Sequence, residues 1–135
     1  MSLYEWNDTY ILGIESIDED HKGLLNLINQ LFEAMSHGKA KEVLSEIFSK
    51  LLVYTKIHFK REEDYFAATN YPAYQDHIMQ HELFISKINE MIKQFESGSN
   101  KLSVDLITFL TDWLINHILI SDKKFVSHLK KYNIR

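Results

Sequence analysis

Apolar side chains recur along most of this chain at the spacing of one face of an α-helix. One stripe reads Leu44, Phe48, Leu51 and Thr55, with gaps of four, three and four residues. The same period recurs in three further stripes: Leu24, Ile28, Leu31 and Met35; Phe84, Ile88, Met91 and Phe95; Leu106, Leu110 and Trp113. This period is typical of amphipathic helices that bury one face in a shared core.

Breaks in the pattern divide the chain into four long helices and a shorter one. The breaks lie at residues 36–38, 70–72 and 97–100, where Gly38 suits a left-handed helix end and Pro72 cannot continue a helix. We predict helices over residues 18–35, 40–67, 73–96 and 101–120, and a short C-terminal helix over 122–131. Short connections make neighbouring helices antiparallel. The predicted fold class is therefore all-α, an up-down-up-down four-helix bundle formed by a single domain, residues 1–135.

The first 15 residues form a separate feature ahead of the first helix. They carry several apolar side chains, Tyr4, Trp6, Tyr10, Ile11 and Ile14. We expect them to lie across the bundle as an ordered N-terminal arm. Ser16 and Glu19 have the spacing of a capping box that would begin the first helix.

The apolar stripes continue, at the same gaps, into histidines and one glutamate. These polar residues at core positions are His21, His58, Glu62, His77, His81 and His117. In an alternating bundle, the start of the first helix lies beside the end of the second, and the third and fourth helices are arranged likewise. All six residues therefore fall in one layer, within reach of Asp122. Buried polar groups need partners, and a buried carboxylate needs one most.

A metal centre explains this layer better than hydrogen bonding does. A lone histidine on an apolar face is usually an ordinary core residue, but five histidines and two carboxylates cannot all satisfy one another. Neutral imidazole and carboxylate are natural metal ligands. Seven ligands exceed a tetrahedral zinc site. They suit two octahedral ions that share the carboxylates as bridges, with room for a bridging oxygen and one open position.

The spacing of the last two ligands predicts an irregular helix. His117 and Asp122 are five residues apart, which separates them by about 140° around a regular α-helix. They cannot both point at one site from an undistorted helix. We therefore predict a π-bulge or a helix end between Ile118 and Asp122.

Composition narrows the classes of protein. Cysteine is absent, which excludes disulfides, iron–sulfur clusters and thiolate zinc sites. The net charge of −4 argues against a nucleic-acid partner. The N-terminus lacks the pattern of a signal peptide, and we expect no segment to approach the roughly 20 apolar residues of a membrane span. The expected location is the cytoplasm, with no membrane partner; protein partners and oligomeric state stay open, with a monomer as one option.

Four motifs resemble those of the hemerythrin family, in its single-domain bacterial form. They are DEDHK at 18–22, HFKREE at 58–63, HIMQH at 77–81 and WLINHILISD at 113–122, and the arm around Trp6 is also similar. The resemblance implies two non-haem iron ions per chain with a bridging oxo or hydroxo group. One iron would be held by His77, His81 and His117, the other by His21 and His58, with Glu62 and Asp122 bridging both. His37 and His128 match no motif position and are interpreted as surface residues.

The resemblance also implies a function, reversible binding of dioxygen at the second iron for storage, transport or delivery, without enzyme activity. The residues expected beside the open position are Leu24, Phe59, Trp113 and Ile118. A dry apolar pocket would admit dioxygen and slow the entry of water and protons. Two nearby polar residues, Thr55 and Tyr65, are interpreted as structural.

Three alternatives stay open: an oxygen or redox sensor module, a di-iron oxidase or peroxidase-like enzyme, and a role in iron or manganese handling. The sensor domains of the family are usually fused to a signalling domain, for which we expect no room after Arg135. Ferritin-like di-iron enzymes are richer in carboxylates, so the histidine-rich set favours reversible binding.

Overall fold

A computed structural model describes residues 10–98 and 102–132 and shows an all-helical architecture. The α-helices cover Glu15–Ser36 (α1), Ala40–Thr69 (α2), Tyr74–Glu96 (α3), Leu102–Trp113 (α4) and Lys123–Lys130 (α5), and a π-helix over Leu114–Asp122 connects the last two. Helices α1 and α3 each pack against both α2 and α4. The predicted up-down-up-down four-helix bundle is therefore confirmed, with α5 as the short C-terminal helix.

The breaks in the sequence end the helices through left-handed backbone. Gly38 and Gly98 have φ of 68° and 85°. Helix α2 continues two residues beyond the predicted end at Ala67, as far as Thr69. It then ends at Asn70, which adopts φ 51°, and asparagine tolerates this conformation better than most residues.

The start of α1 differs from the prediction. The helix begins at Glu15, and the preceding residue, Ile14, is extended and makes no side-chain capping bond. The predicted capping box of Ser16 and Glu19 is therefore wrong. Ser16 already lies inside the first helical turn, so it cannot be the residue that caps the turn.

The carboxylate of Asp18 attaches the arm to α1 instead. It accepts hydrogen bonds from the backbone amides of Leu12, at 2.9 Å, and Gly13, at 3.2 Å. Leu12 and Ile14 are buried, whereas Ile11 is 49% exposed. Of the other residues assigned to the arm, Tyr10 packs against the core, and Tyr4 and Trp6 lie outside the described residues.

The core of the described chain has two apolar clusters. The main cluster follows the bundle and contains most residues of the four predicted stripes, with Leu24, Leu51, Phe84 and Leu106 fully buried. The second cluster lies under the arm and α5 and consists of Leu12, Ile14, Ile17, Phe66, Tyr71, Phe125, Val126 and Leu129. Burial of these side chains anchors α5 against the ends of α1 and α2.

The irregular helix expected near Asp122 is present. The π-helix extends from Leu114 to Asp122, which is longer than a single bulge. Its i→i+5 hydrogen bonds bring residues five apart onto one face. His117 and Asp122 are consequently both buried, with 1% and 0% of their surface exposed.

The last helical segment of the described chain is more apolar than we expected from the sequence. The segment Leu102–Lys130 is long and apolar enough to cross a membrane by length and composition, so the expectation that no segment approaches this level is wrong. In the bundle, this segment contributes Leu106 and Leu110 to the main core cluster. It also buries His117 and Asp122 against the other helices. Part of its apolar surface is therefore in the core, whereas Val104 and Ile120 are 56% and 50% exposed.

The role of Asp18 can be tested against the capping box. We expect Asp18→Ala to lower the free energy of unfolding by about 1–2 kcal/mol, because two amides lose a charged acceptor. Glu19→Ala removes only an exposed pair with Lys22, so its effect should be below about 0.5 kcal/mol. Denaturant unfolding of both variants measures the difference. A larger decrease in the free energy of unfolding for Glu19→Ala than for Asp18→Ala would contradict this prediction and support the capping box.

Candidate metal centre

Seven polar side chains from α1, α2, α3 and the π-helix meet in one layer between the two apolar clusters. These are the seven residues predicted from the sequence, His21, His58, Glu62, His77, His81, His117 and Asp122, and none is more than 2% exposed. The pairs on α2 and α3 are four residues apart, so each pair projects from one helix face. The structure thus brings the whole predicted set together.

The ligand atoms form two groups, and within each group they all lie within 4.8 Å of one another. The first group is Glu62, His77, His81 and His117, and the second is His21, His58 and Asp122. The first group therefore has three imidazoles and the second has two. Each group is compact enough for its atoms to reach one ion.

The carboxylate of Asp122 faces both groups. Its Oδ2 atom lies 2.8 Å from Nε2 of His21. Its Oδ1 atom lies 2.8 Å from Nε2 of His77 and 3.0 Å from Nε2 of His117. The two oxygens of one side chain consequently point to histidines on opposite sides of the layer.

Glu62 lies among the histidines from α2 and α3. Its Oε1 atom is 3.0 Å from Nε2 of His81, 3.3 Å from that of His77 and 3.4 Å from that of His58. Its Oε2 atom is buried without a hydrogen-bond partner. Glu62 therefore has one oxygen between the two groups and a second that is free to bind.

Several ligand atoms in the described chain are buried without a hydrogen-bond partner. They are Nε2 of His58, His81 and His117, Oε2 of Glu62 and Oδ1 of Asp122. Some of these atoms approach an oxygen closely but are not aligned for a hydrogen bond. Leaving a buried polar atom unsatisfied costs about 1–3 kcal/mol. Imidazole nitrogen and carboxylate oxygen are ligands that iron accepts, so this donor set fits a metal centre.

A set of outer residues orients three of the imidazoles. The Nδ1–H groups donate to carboxylate or amide oxygens in three pairs: His58 to Asp20 at 2.9 Å, His81 to Glu63 at 3.3 Å, and His117 to Gln80 at 2.7 Å. A proton on Nδ1 leaves the Nε2 lone pair for a metal. Asp20 also accepts from Nε of Arg61 at 2.9 Å.

Sequence reasoning missed these outer residues, although their positions carried a signal. Asp20, Glu63 and Gln80 each stand next to a predicted ligand in the chain. Each reaches a histidine on the next helix, which a pattern along a single helix does not reveal.

Aromatic rings lie against the ligands. Phe59 stacks on His81 with ring centres 3.8 Å apart, and Trp113 stacks on His117 at 3.9 Å. The other two residues predicted to line the pocket, Leu24 and Ile118, are fully buried in the main cluster that contains Phe59.

The remaining polar residues considered earlier lie elsewhere. The hydroxyl of Thr55 donates to the carbonyl of Leu52 at 2.9 Å, and Tyr65 packs against the second cluster. His37 is exposed, as predicted. The interpretation of His128 as a surface residue is wrong, because α5 folds back onto the end of α2. Its half-buried ring therefore donates a hydrogen bond to the carbonyl of Thr69 at 2.9 Å.

Opposite charges compensate one another inside the layer. Burial alone would lower the pKa of His58, but the carboxylates of Glu62 and Asp122 outweigh burial and raise it to about 10. The same balance raises the pKa of His77 to about 9. Burial would raise the pKa of both carboxyl groups, yet the surrounding histidines hold each pKa below its usual range. Without metal, protons on the imidazoles balance the buried carboxylates.

The stability of metal-free protein should fall as the pH rises from about 6.5 toward about 10. His58 and His77 have folded-state pKa values of about 10 and about 9, above the ordinary 6.5. Their stabilisation is fully present below 6.5 and is lost through the folded-state values. Denaturant unfolding across this range measures the effect. Iron-loaded protein is the control and should depend less on pH, since its imidazoles bind metal instead of protons; a metal-free protein that gains stability over this range would contradict the prediction.

Comparisons with known proteins agree with this geometry. Residues 12–129 match the family model of the Hemerythrin HHE cation binding domain. A bacteriohemerythrin from Pseudomonas aeruginosa is 33% identical over 130 residues, which cover 96% of this chain and 84% of the relative. A bacteriohemerythrin from Clostridium acetobutylicum is 28% identical over 128 residues, which cover 92% of this chain and 99% of the relative.

The fold comparison leads to the same family. The crystal structure of a hemerythrin point mutant superposes with a TM-score of 0.84 at 25% identity, covering 96% of this chain and 98% of that one. Together with the cluster of histidines and carboxylates, these relatives support a non-haem iron centre. The chain therefore belongs to the hemerythrin family.

Proposed function

We propose that this protein binds dioxygen reversibly at a non-haem di-iron centre and serves in oxygen storage, transport or delivery, without acting as an enzyme. The observation that carries the proposal is the position of Asp122 between two unequal groups of histidines. One carboxylate that faces both groups suits a bridge between two ions. Two imidazoles on one side and three on the other leave the ions with different numbers of ligands.

The proposed roles follow the two groups. His77, His81 and His117 would hold one iron, and His21 and His58 would hold the other. Glu62 and Asp122 would bridge them, together with an oxo or hydroxo group. A pair of ferrous ions can supply two electrons to dioxygen and recover them when it leaves. The iron held by His21 and His58 would have fewer protein ligands and would offer the open position for dioxygen.

The protein's own residues keep this exchange reversible. Protons on Nδ1 are held by outer acceptors, as at His58 and His117, so the imidazoles keep one orientation. Leu24, Phe59 and Ile118 are at most 3% exposed and exclude water from the open side. A dry site disfavours the entry of protons and anions that would release dioxygen as hydrogen peroxide and leave the iron oxidised.

The central test is spectroscopic. Purified protein should contain two iron atoms per chain and no haem. After anaerobic reduction, exposure to air should produce a visible absorption band that disappears under argon and returns with air. One metal per chain, or zinc as the main metal, would overturn the di-iron centre. Immediate irreversible oxidation with turnover of an added organic substrate or peroxide would favour the oxidase alternative.

The apolar wall should govern how long the oxygenated state lasts. Leu24→Ala should leave iron content unchanged and speed the decay to the ferric form, because the new cavity gives water and anions access to the metal. Removal of a core leucine costs about 2–5 kcal/mol, so decay is compared at a temperature where both proteins are folded. Leu83→Ala is the matched control, since Leu83 is 64% exposed. Equal decay rates for wild type and Leu24→Ala would argue against this role of the wall.

A further inference from the structure

Two buried hydrogen-bond donors near the ligand layer have no partner in the described chain. They are the hydroxyl of Tyr54 and the indole Nε1 of Trp113. Both atoms are shielded from solvent, although the rings that carry them are only partly buried. Most buried polar atoms in folded proteins are hydrogen-bonded, so each exception calls for an explanation.

Both donors are carried by rings that lie against the candidate ligands. Tyr54 stacks on His58 with centres 5.1 Å apart and planes 18° apart. Trp113 stacks on His117 with planes 14° apart. Tyr54 stands four residues before His58, one helical turn further into the bundle on the same face of α2. Both donors consequently lie on the side of the ligand layer that faces the main core cluster. The ring of Tyr54 contacts the group with two histidines, and the ring of Trp113 contacts the group with three.

The hydroxyl of Tyr54 is placed to act as a donor. A tyrosine hydroxyl ordinarily has a pKa of about 10. The hydroxyl therefore keeps its proton at neutral pH. Trp113 can only donate, because an indole nitrogen has no acceptor site. The two groups are neighbours, but neither donor atom has a hydrogen-bond partner in the described chain.

A structural role does not explain this hydroxyl. The neighbouring Thr55 satisfies its hydroxyl within α2, on the carbonyl of Leu52. Tyr54 makes no such bond, so a phenylalanine would stack on His58 equally well without burying an unpaired oxygen. The hydroxyl has a cost to the folded protein that only a bound acceptor would offset.

We infer that Tyr54 donates a hydrogen bond to the small molecule bound at the iron that His21 and His58 hold. The inference rests on the proposed function, because it requires a metal with an open position. The ligand class is a two- or three-atom molecule whose outer atom carries negative charge when bound, such as reduced dioxygen or azide. The pocket beside this iron would then be lined by apolar side chains except at the Tyr54 hydroxyl.

The test uses Tyr54→Phe, which keeps the ring and removes only the hydroxyl. Azide is titrated into ferric, iron-loaded protein, and its stretching vibration is recorded in H2O and D2O. The variant should bind azide roughly five- to tenfold more weakly, the equivalent of one hydrogen bond. The wild-type vibration should shift in D2O, and this shift should be lost or reduced in the variant. Tyr65→Phe is the matched control and should behave as wild type.

Stability provides a second, independent readout. Metal-free Tyr54→Phe should be at least as stable as metal-free wild type, because the folded protein loses no hydrogen bond. A hydroxyl with a structural role predicts the opposite, a loss of stability with unchanged azide binding. Azide affinity and a D2O shift equal to those of wild type would overturn this inference alone. Failure of the wild type to load iron or bind azide would overturn the proposed function as well.

Discussion

The cost of burying polar groups is the constraint that organises this bundle, because seven such side chains share one layer of its core. Apolar clusters close the layer on both sides, with Phe59 in one cluster and Phe66 in the other. Water cannot satisfy the layer, so the side chains must satisfy one another or bind an ion. The charges of His58 and His77 compensate those of Glu62 and Asp122. This compensation still leaves several polar atoms of the layer without a hydrogen-bond partner. Apart from Nδ1 of His21, the nitrogens and oxygens of the seven side chains that remain unpaired have lone pairs suited to metal.

The outer hydrogen bonds connect the helices in a regular order. An acceptor beside a ligand on one helix holds a histidine on the next: Asp20 of α1 holds His58 of α2, Glu63 of α2 holds His81 of α3, and Gln80 of α3 holds His117 of the π-helix. The series does not continue to α1, since Nδ1 of His21 is buried without a partner. His21 depends instead on its contact with Asp122. The orientations of His58, His81 and His117 are thus each set by a residue on a different helix.

The sequence predicts the parts of this structure that follow from periodicity and angle. Apolar stripes place the histidines in one layer, and the five-residue step from His117 to Asp122 predicts a departure from α-helix. The start of α1 was not predictable in this way, because which of several acidic residues binds the arm depends on the path of the arm. The role of Asp18 therefore became visible only in three dimensions. Tyr54 was overlooked for a related reason: an aromatic residue on a stripe is usually core, and a missing partner is not a property of the sequence.

The π-helix has a consequence for engineering. Six of the seven candidate ligands stand singly or at four-residue spacing, positions that any regular antiparallel bundle could supply. Asp122 differs, because it lies five residues after His117 and shares its face only through the wider π turn. A designed bundle of ideal α-helices could therefore copy the histidines and Glu62, yet it would lack the carboxylate that faces both groups. Transplanting this centre to a new scaffold requires grafting the irregular backbone of residues 114–122 along with the side chains.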